Sequence, residues 1–406
     1  MLHEFFHNFI HNLFKPLLLF FYFGFMIPIL KVKFEFPYVI YQGLTMYLLV
    51  AIGWHGGEEL AKINPSDIAS IIGFMIVGFV LNLIIGTIAY FLLNWMTAMR
   101  RVDTATVAGY YGSDSAGTFA TCVGVLASLG MAFNAYMPVM LAVMEIPGCL
   151  VALYLVGRLR QKGMDAAGVM PGEPGYDAPA PVGVGPGAAA RAGYLNNIQD
   201  EHERAVEQER EVALQRREPP DSQSDRRGGN ADKPRFFSTE LVQEVFFNPG
   251  IALLFGGIVI GFISGMQGAK VVHDDDTVFV SAFQGVLCLF LLEMGITASR
   301  KLRDLRSAGR GFIIFALLTP NVFATIGISV AHGYAHLVHS EFQPGTYVLF
   351  AVLCAAASYI AVPAVQRLAI PEASPTLPLA ASLGLTFSYN VTVGIPVYIE
   401  IARLFT

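Results

Sequence analysis

Ten apolar stretches of 17 to 31 residues constrain this chain more than any other feature. They run Phe14–Leu30, Pro37–Trp54, Ile68–Met96, Thr104–Leu129 and Ala135–Leu159, then Leu241–Ser264, Thr277–Ala298, Gly311–Val338, Thr346–Ile370 and Ser374–Leu404. About 20 mostly apolar residues of helix cross the hydrocarbon core of a bilayer. The rest of the composition agrees. Charged residues are 14% of the 406, against roughly 25% in soluble domains, while hydrophobic residues are 54%. Of the 57 charged side chains, 25 fall between Arg158 and Arg235. The expected fold is an all-α polytopic membrane protein with one polar insert. Its parts are a first five-helix membrane repeat (1–159), a polar linker (160–240) and a second five-helix repeat (241–406).

Orientation follows from the basic residues, which favour the cytoplasmic side. With ten crossings, one side holds Lys15, Lys62, Lys270 and Arg403, and the other holds the remaining 22 of the 26 Lys and Arg. The expectation is a multi-pass protein of the inner membrane, with a cytoplasmic linker and both termini outside. The stretch through Phe14 lacks a basic region before a cleavage site and does not read as a removable signal. The cysteines Cys122, Cys149, Cys288 and Cys354 lie in apolar segments at no metal or disulfide spacing.

Five crossings on each side of the insert make the second half run opposite to the first, an inverted repeat typical of transporters. The fourth segment of each half is interrupted. The first interruption reads Gly109-Tyr-Tyr-Gly-Ser-Asp-Ser-Ala-Gly117-Thr118, the second Ala355-Ala-Ala-Ser358-Tyr359-Ile-Ala-Val-Pro363. Glycine and proline at mid-span free backbone groups, which a membrane tolerates only where protein or water satisfies them. Two broken, crossing helices would offer helix N-termini to an anion, and carbonyls and hydroxyls to a small cation. Close helix packing through small residues is the competing account.

Ionisable groups inside a membrane are costly, so three acids stand out: Asp114, Glu145 before Pro147, and Glu293. Asp114 lies among Ser113, Ser115 and Thr118, whose oxygens suit sodium. Coupling to sodium or a proton, or a structural hydrogen bond, would each account for it. Within the insert, Met170–Ala190 is rich in Gly, Pro and Ala and reads as flexible or extended, whereas Gln199–Arg217 reads as a charged helix. Ser115 does not sit in a GxSxG elbow, and the chain is not expected to be an enzyme. Basic-aromatic surfaces for nucleic acid are also missing, so no nucleic-acid partner is expected.

Five motifs in order carry a family resemblance. They are Arg101-Val-Asp-Thr104, Tyr110-Tyr-Gly-Ser-Asp-Ser115, Met144-Glu-Ile-Pro147, Ser358-Tyr-Ile-Ala-Val-Pro363 and Ile370-Pro-Glu-Ala-Ser-Pro375. Together they resemble the sodium-dependent bicarbonate transporter family, over both membrane halves. The resemblance implies a sodium/bicarbonate symporter, usually trimeric, inhibited by a PII-like partner from the cytoplasm. Its core would be helices 3–5 and 8–10, and its gate helices 1, 2, 6 and 7. Carried over by position, the anion site would use Ser115, Ala116, Gly117, Thr118, Ile360 and Ala361. The sodium site would use Asp114, Glu145, Ser358 and Tyr359. Asp114 departs from the family pattern, where a small apolar residue is expected. The reading is thus a sodium-coupled symporter of a small anion, bicarbonate first. Another small monocarboxylate is the runner-up, and a non-transporting membrane sensor or scaffold that recruits a cytoplasmic partner is the reading from a different class.

Overall fold

Hydrocarbon offers no hydrogen bonds, so a chain crossing it must satisfy its own backbone, and helices do this within one segment. The structure, a computed structural model, describes residues 14–177, 249–304, 309–359 and 361–405. The described residues form helices and no strand. In order these are α1 (Pro16–Ile29), α2 (Tyr38–Leu60), α3 (Ile68–Met96), α4 (Arg101–Tyr111), α5 (Ala116–Leu129) and α6 (Met137–Gln161). After the insert come α7 (Pro249–Gln267), α8 (Ala269–Asp276), α9 (Phe283–Asp304), α10 (Gly309–Leu337), α11 (Pro344–Ala355), α12 (Ala361–Ala369), α13 (Thr376–Leu379) and α14 (Ile395–Phe405). Among them five stretches are long and apolar enough to span a bilayer: Pro65–Met96, Met137–Gln161, Pro249–Gln267, Thr277–Leu302 and Gly309–Leu337.

Two helix pairs pack backbone to backbone. On α2, Gly53 and Gly57 lie against Leu254 and Ile258 of α7, while Gly257 and Gly261 of α7 lie against Val50 and Trp54 of α2. On α1, Gly24 meets Leu292 of α9, and Gly295 of α9 meets Phe21. Any side chain at these glycines would overlap main-chain atoms, so the close approach requires glycine. Without a hydrophobic force between helices in lipid, such contacts supply the packing.

The other helices form a second cluster. Asn82 of α3 donates to the Met144 carbonyl of α6 at 3.0 Å, and Gly109 of α4 lies against Gly148 and Ala152 of α6. Gly327 of α10 packs on Cys354 of α11. Between α13 and α14 the chain is π-helical at Ala380–Phe387 and Asn390–Gly394, a wider winding that often marks functional regions. Thr386 there shares a 2.6 Å hydrogen bond with the Tyr111 hydroxyl and donates to the Ala316 carbonyl at 3.1 Å.

One end of the bundle is fixed by arginines. Arg160 makes a two-pronged ion pair with Glu372 at 3.0 and 2.8 Å, and Arg100 pairs the same way with Asp103 at 2.8 and 3.0 Å. The first residues after α6 fold back onto this end. Glu173 accepts from the Arg101 N–H at the start of α4 and from the Met170 N–H, both at 2.9 Å. A carboxylate at a helix N-terminus satisfies a free donor and favours the dipole. Val169 and Met170 are buried there, and the Tyr176 hydroxyl donates to the Gly163 carbonyl at 3.1 Å. The Gly/Pro/Ala stretch expected to be flexible or extended from Met170 onwards is folded as far as Tyr176. Gln199–Arg217 lies outside the described residues.

Candidate functional site

The two interrupted segments break where their glycines, serines and prolines fall. The first stops at Tyr111 and restarts at Ala116. Ser115 caps the new helix: its Oγ accepts from the Thr118 N–H at 3.2 Å and from the Thr118 hydroxyl at 2.9 Å. An N-cap satisfies one of the free N–H groups of a helix start and leaves others directed into the break. The second segment stops at Ala355 and restarts at Ala361. Ile360 lies outside the described residues, and Ala361 opens α12. The Ser358 Oγ accepts a longer, 3.4 Å bond from the Val362 N–H.

The breaks touch. The Ser358 N–H donates to the Tyr110 carbonyl at 2.8 Å, and Asn390 donates to the Ala355 carbonyl at 3.0 Å. Asn390 in turn accepts from the Tyr398 hydroxyl at 2.6 Å. Of the polar residues in the last segment, Asn390 serves the break, whereas Thr392 bonds back to the Ser388 carbonyl of its own helix.

Asp114 is 1% exposed, and neither carboxylate oxygen has a hydrogen-bond donor. Glu145, 7% exposed, is its electrostatic neighbour. Ser113, beside Asp114, donates to the Glu145 carbonyl at 2.7 Å and so ties the break to α6. Among the described residues no ion pair involves either acid. Two neighbouring carboxylates in low dielectric repel when both are ionised, and each loses hydration. Such a pair calls for a cation or a shared proton. No cluster of three or more His, Cys, Asp or Glu occurs among the described residues, and the donors near the acids are hydroxyls and carbonyls, which suit a hard monovalent ion over a transition metal.

Tyr359 lies beside Ser115. Its hydroxyl lies against Gly117 and Ser115 and is buried without a well-formed hydrogen bond. Any Cβ at residue 117 would overlap that oxygen, so only glycine admits it. Ala116, Gly117 and Tyr359 line one small cavity with Leu48 of α2 and Phe290 of α9. Tyr359 also lies within electrostatic reach of Glu145, so the acids and the cavity residues adjoin one another. Glu293, the third acid noted in the sequence, accepts from the Thr297 hydroxyl at 2.9 Å on its own helix.

Three motif residues are joined through Gln366, which lies outside the motifs and which sequence reasoning missed. The Tyr110 hydroxyl donates to Gln366 at 2.7 Å, Gln366 donates to the Ser374 carbonyl at 2.9 Å, and the Ser374 N–H donates to Asp103 at 2.7 Å. Tyr110 and Gln366 are buried at 1% and 3% exposure. Leu48 and Phe290, on helices without a break, were also missed, because an aliphatic or aromatic residue in an apolar helix carries no signature.

A helical membrane bundle with two interrupted, touching helices, and a buried acid at one break beside a second on α6, fits a membrane protein of the transporter class. The chain belongs to the Na+-dependent bicarbonate transporter superfamily, whose sequence profile matches residues 16–403, nearly the whole length. That is a family of transporters and not of enzymes. No curated protein matches the chain.

Proposed function

We propose that this protein is a sodium-coupled symporter of a small anion, bicarbonate first, working by alternating access. The observation that carries the reading is the buried Asp114–Glu145 pair with no basic partner among the described residues, placed one residue from the N-cap of α5. Sodium entering beside Asp114 and Glu145 supplies the counter-charge that the protein itself does not. The Ser358 side is brought to the same place by the bond to Tyr110. With the acids neutralised, an anion at the α5 N-terminus meets the backbone N–H groups of Ala116 and Gly117, together with the Tyr359 hydroxyl. Each ion then lowers the cost of the other, which is reciprocal coupling.

The reading includes ten crossings in a five-plus-five inverted repeat. The glycine-packed pairs support it. The first helix of one half packs on the second helix of the other, as α1 on α9, and the converse holds for α2 and α7. A two-fold relation between halves produces such reciprocal pairing. These four helices are the gate in this reading, and the cluster bearing the breaks is the core that moves against it. Placement in the inner membrane with a cytoplasmic insert rests on the Lys and Arg distribution. A trimeric state and a PII-like regulator acting from the insert side rest on the family alone.

Uptake of labelled bicarbonate into proteoliposomes tests the proposal. A sodium gradient should drive accumulation that potassium cannot replace. Equal uptake without sodium would remove the coupling, and sodium-driven uptake of acetate but not bicarbonate would change the substrate.

A further inference from the structure

The cavity beside Gly117 is closed by side chains that belong to neither break. Phe290 of α9, 2% exposed, presses its ring on the break: a Cβ at residue 117 would lie 3.0 Å from its Cζ and 3.1 Å from its Cε1. Behind it, the Tyr41 ring of α2 stacks at 6.0 Å between centroids with 15° between planes. Thr45, Leu48 and Phe290 form the wall of the cavity facing Ala116, Gly117 and Tyr359. Interiors are close-packed, so a ring held from behind cannot yield to a larger ligand.

We propose that Phe290, backed by Tyr41, is the size filter of the anion site. It bars longer alkyl tails from a cavity of only about 10 Å³, which has to widen, as the core moves against the gate, before bicarbonate fits. The inference rests on the reading of this cavity as the anion site. The wall it removes is apolar, so truncating Phe290 leaves an apolar cavity of the kind that binds small apolar groups. A methylene accommodated in a hydrophobic pocket is worth roughly 10- to 200-fold in discrimination. Phe290→Ala should therefore gain at least about tenfold in apparent affinity for propionate and butyrate, with Phe290→Leu intermediate.

The test is competition of acetate, propionate and butyrate against sodium-driven uptake of labelled bicarbonate, in wild type, Phe290→Ala and Phe290→Leu. The expected result is weak inhibition of wild type by propionate and butyrate, and inhibition of Phe290→Ala at concentrations at least about tenfold lower. Unchanged inhibition in a variant that still takes up bicarbonate overturns the proposal. Where Phe290→Ala gives no uptake, the rise in Tm of purified protein with added butyrate decides: a rise in the variant and none in wild type supports the filter, and no rise in either overturns it. Failure of the wild type to take up bicarbonate with sodium overturns the reading of the site, and the butyrate shift still decides for or against Phe290.

Discussion

The Ser358 backbone N–H donates to the Tyr110 carbonyl at 2.8 Å, so the second break hangs on the last turn of the first broken helix. The same Tyr110 donates its hydroxyl to Gln366 at 2.7 Å, and through Ser374 and Asp103 the bonds run on to Arg100. The two interrupted segments are therefore held as one unit from their meeting point to the arginine-rich end.

Tyr110→Phe keeps the ring and removes one donor. The amide oxygen of Gln366, buried at 3% exposure, loses that bond, which costs about 1–3 kcal/mol. A lower Tm in detergent is expected, while the Ser358 N–H keeps its main-chain bond to the Tyr110 carbonyl and the sodium half-saturation stays near that of wild type. Gln366→Leu should cost more than Tyr110→Phe, because it also takes the donor from the Ser374 carbonyl.

Gly257 and Gly256 are neighbours with opposite requirements. A Cβ at residue 257 would run into the Val50 carbonyl at 2.6 Å and Gly53 at 3.1 Å, whereas one at 256 meets nothing within 4 Å. Gly257→Val should separate α2 from α7 and cost more than the 1–3 kcal/mol or so of ordinary overpacking, because backbone cannot give way. Yield of monodisperse protein and Tm should fall sharply for Gly257→Val and stay near wild type for Gly256→Val.

Arg160→Lys keeps the charge and loses the fork that grips both oxygens of Glu372 as well as the Ala369 carbonyl. The side chains are 31% and 18% exposed, so the expected loss is modest, about 1 kcal/mol, read as a small drop in Tm. Glu372→Gln should not add its full effect to Arg160→Lys, because the two residues share one interaction.

Much of this architecture is legible in the sequence, because hydrophobic length and mid-span glycine or proline act locally. Gly112 ends α4, and the chain between Ala355 and Ala361 leaves the helix, where the residue pattern places both interruptions. Asp114 and Glu145 stand out because acids are rare in apolar segments. The Tyr110–Gln366 bond spans 256 positions, and nothing in either local sequence announces it. Phe290 is one of 31 phenylalanines, and only the approach of α9 to Gly117 distinguishes it. Met170 is buried against Ile370 and Ala373 despite its Gly- and Pro-rich surroundings, because the charged side chain of Glu173 fixes the chain on α4.

Asp114 carries the central claim. Asp114→Asn keeps the shape of the side chain and removes the charge at a position where no protein donor meets either oxygen. The decisive measurement is the initial rate of labelled bicarbonate uptake in proteoliposomes against external sodium, for wild type and Asp114→Asn. Coupling free energies between sites are commonly about 1–3 kcal/mol, or roughly 5- to 150-fold in affinity. The account predicts a sodium half-saturation raised by at least about fivefold and a bicarbonate affinity lowered with it. Wild-type sodium dependence in a folded Asp114→Asn protein would contradict the account, because the carboxylate would then not be the group that sodium neutralises.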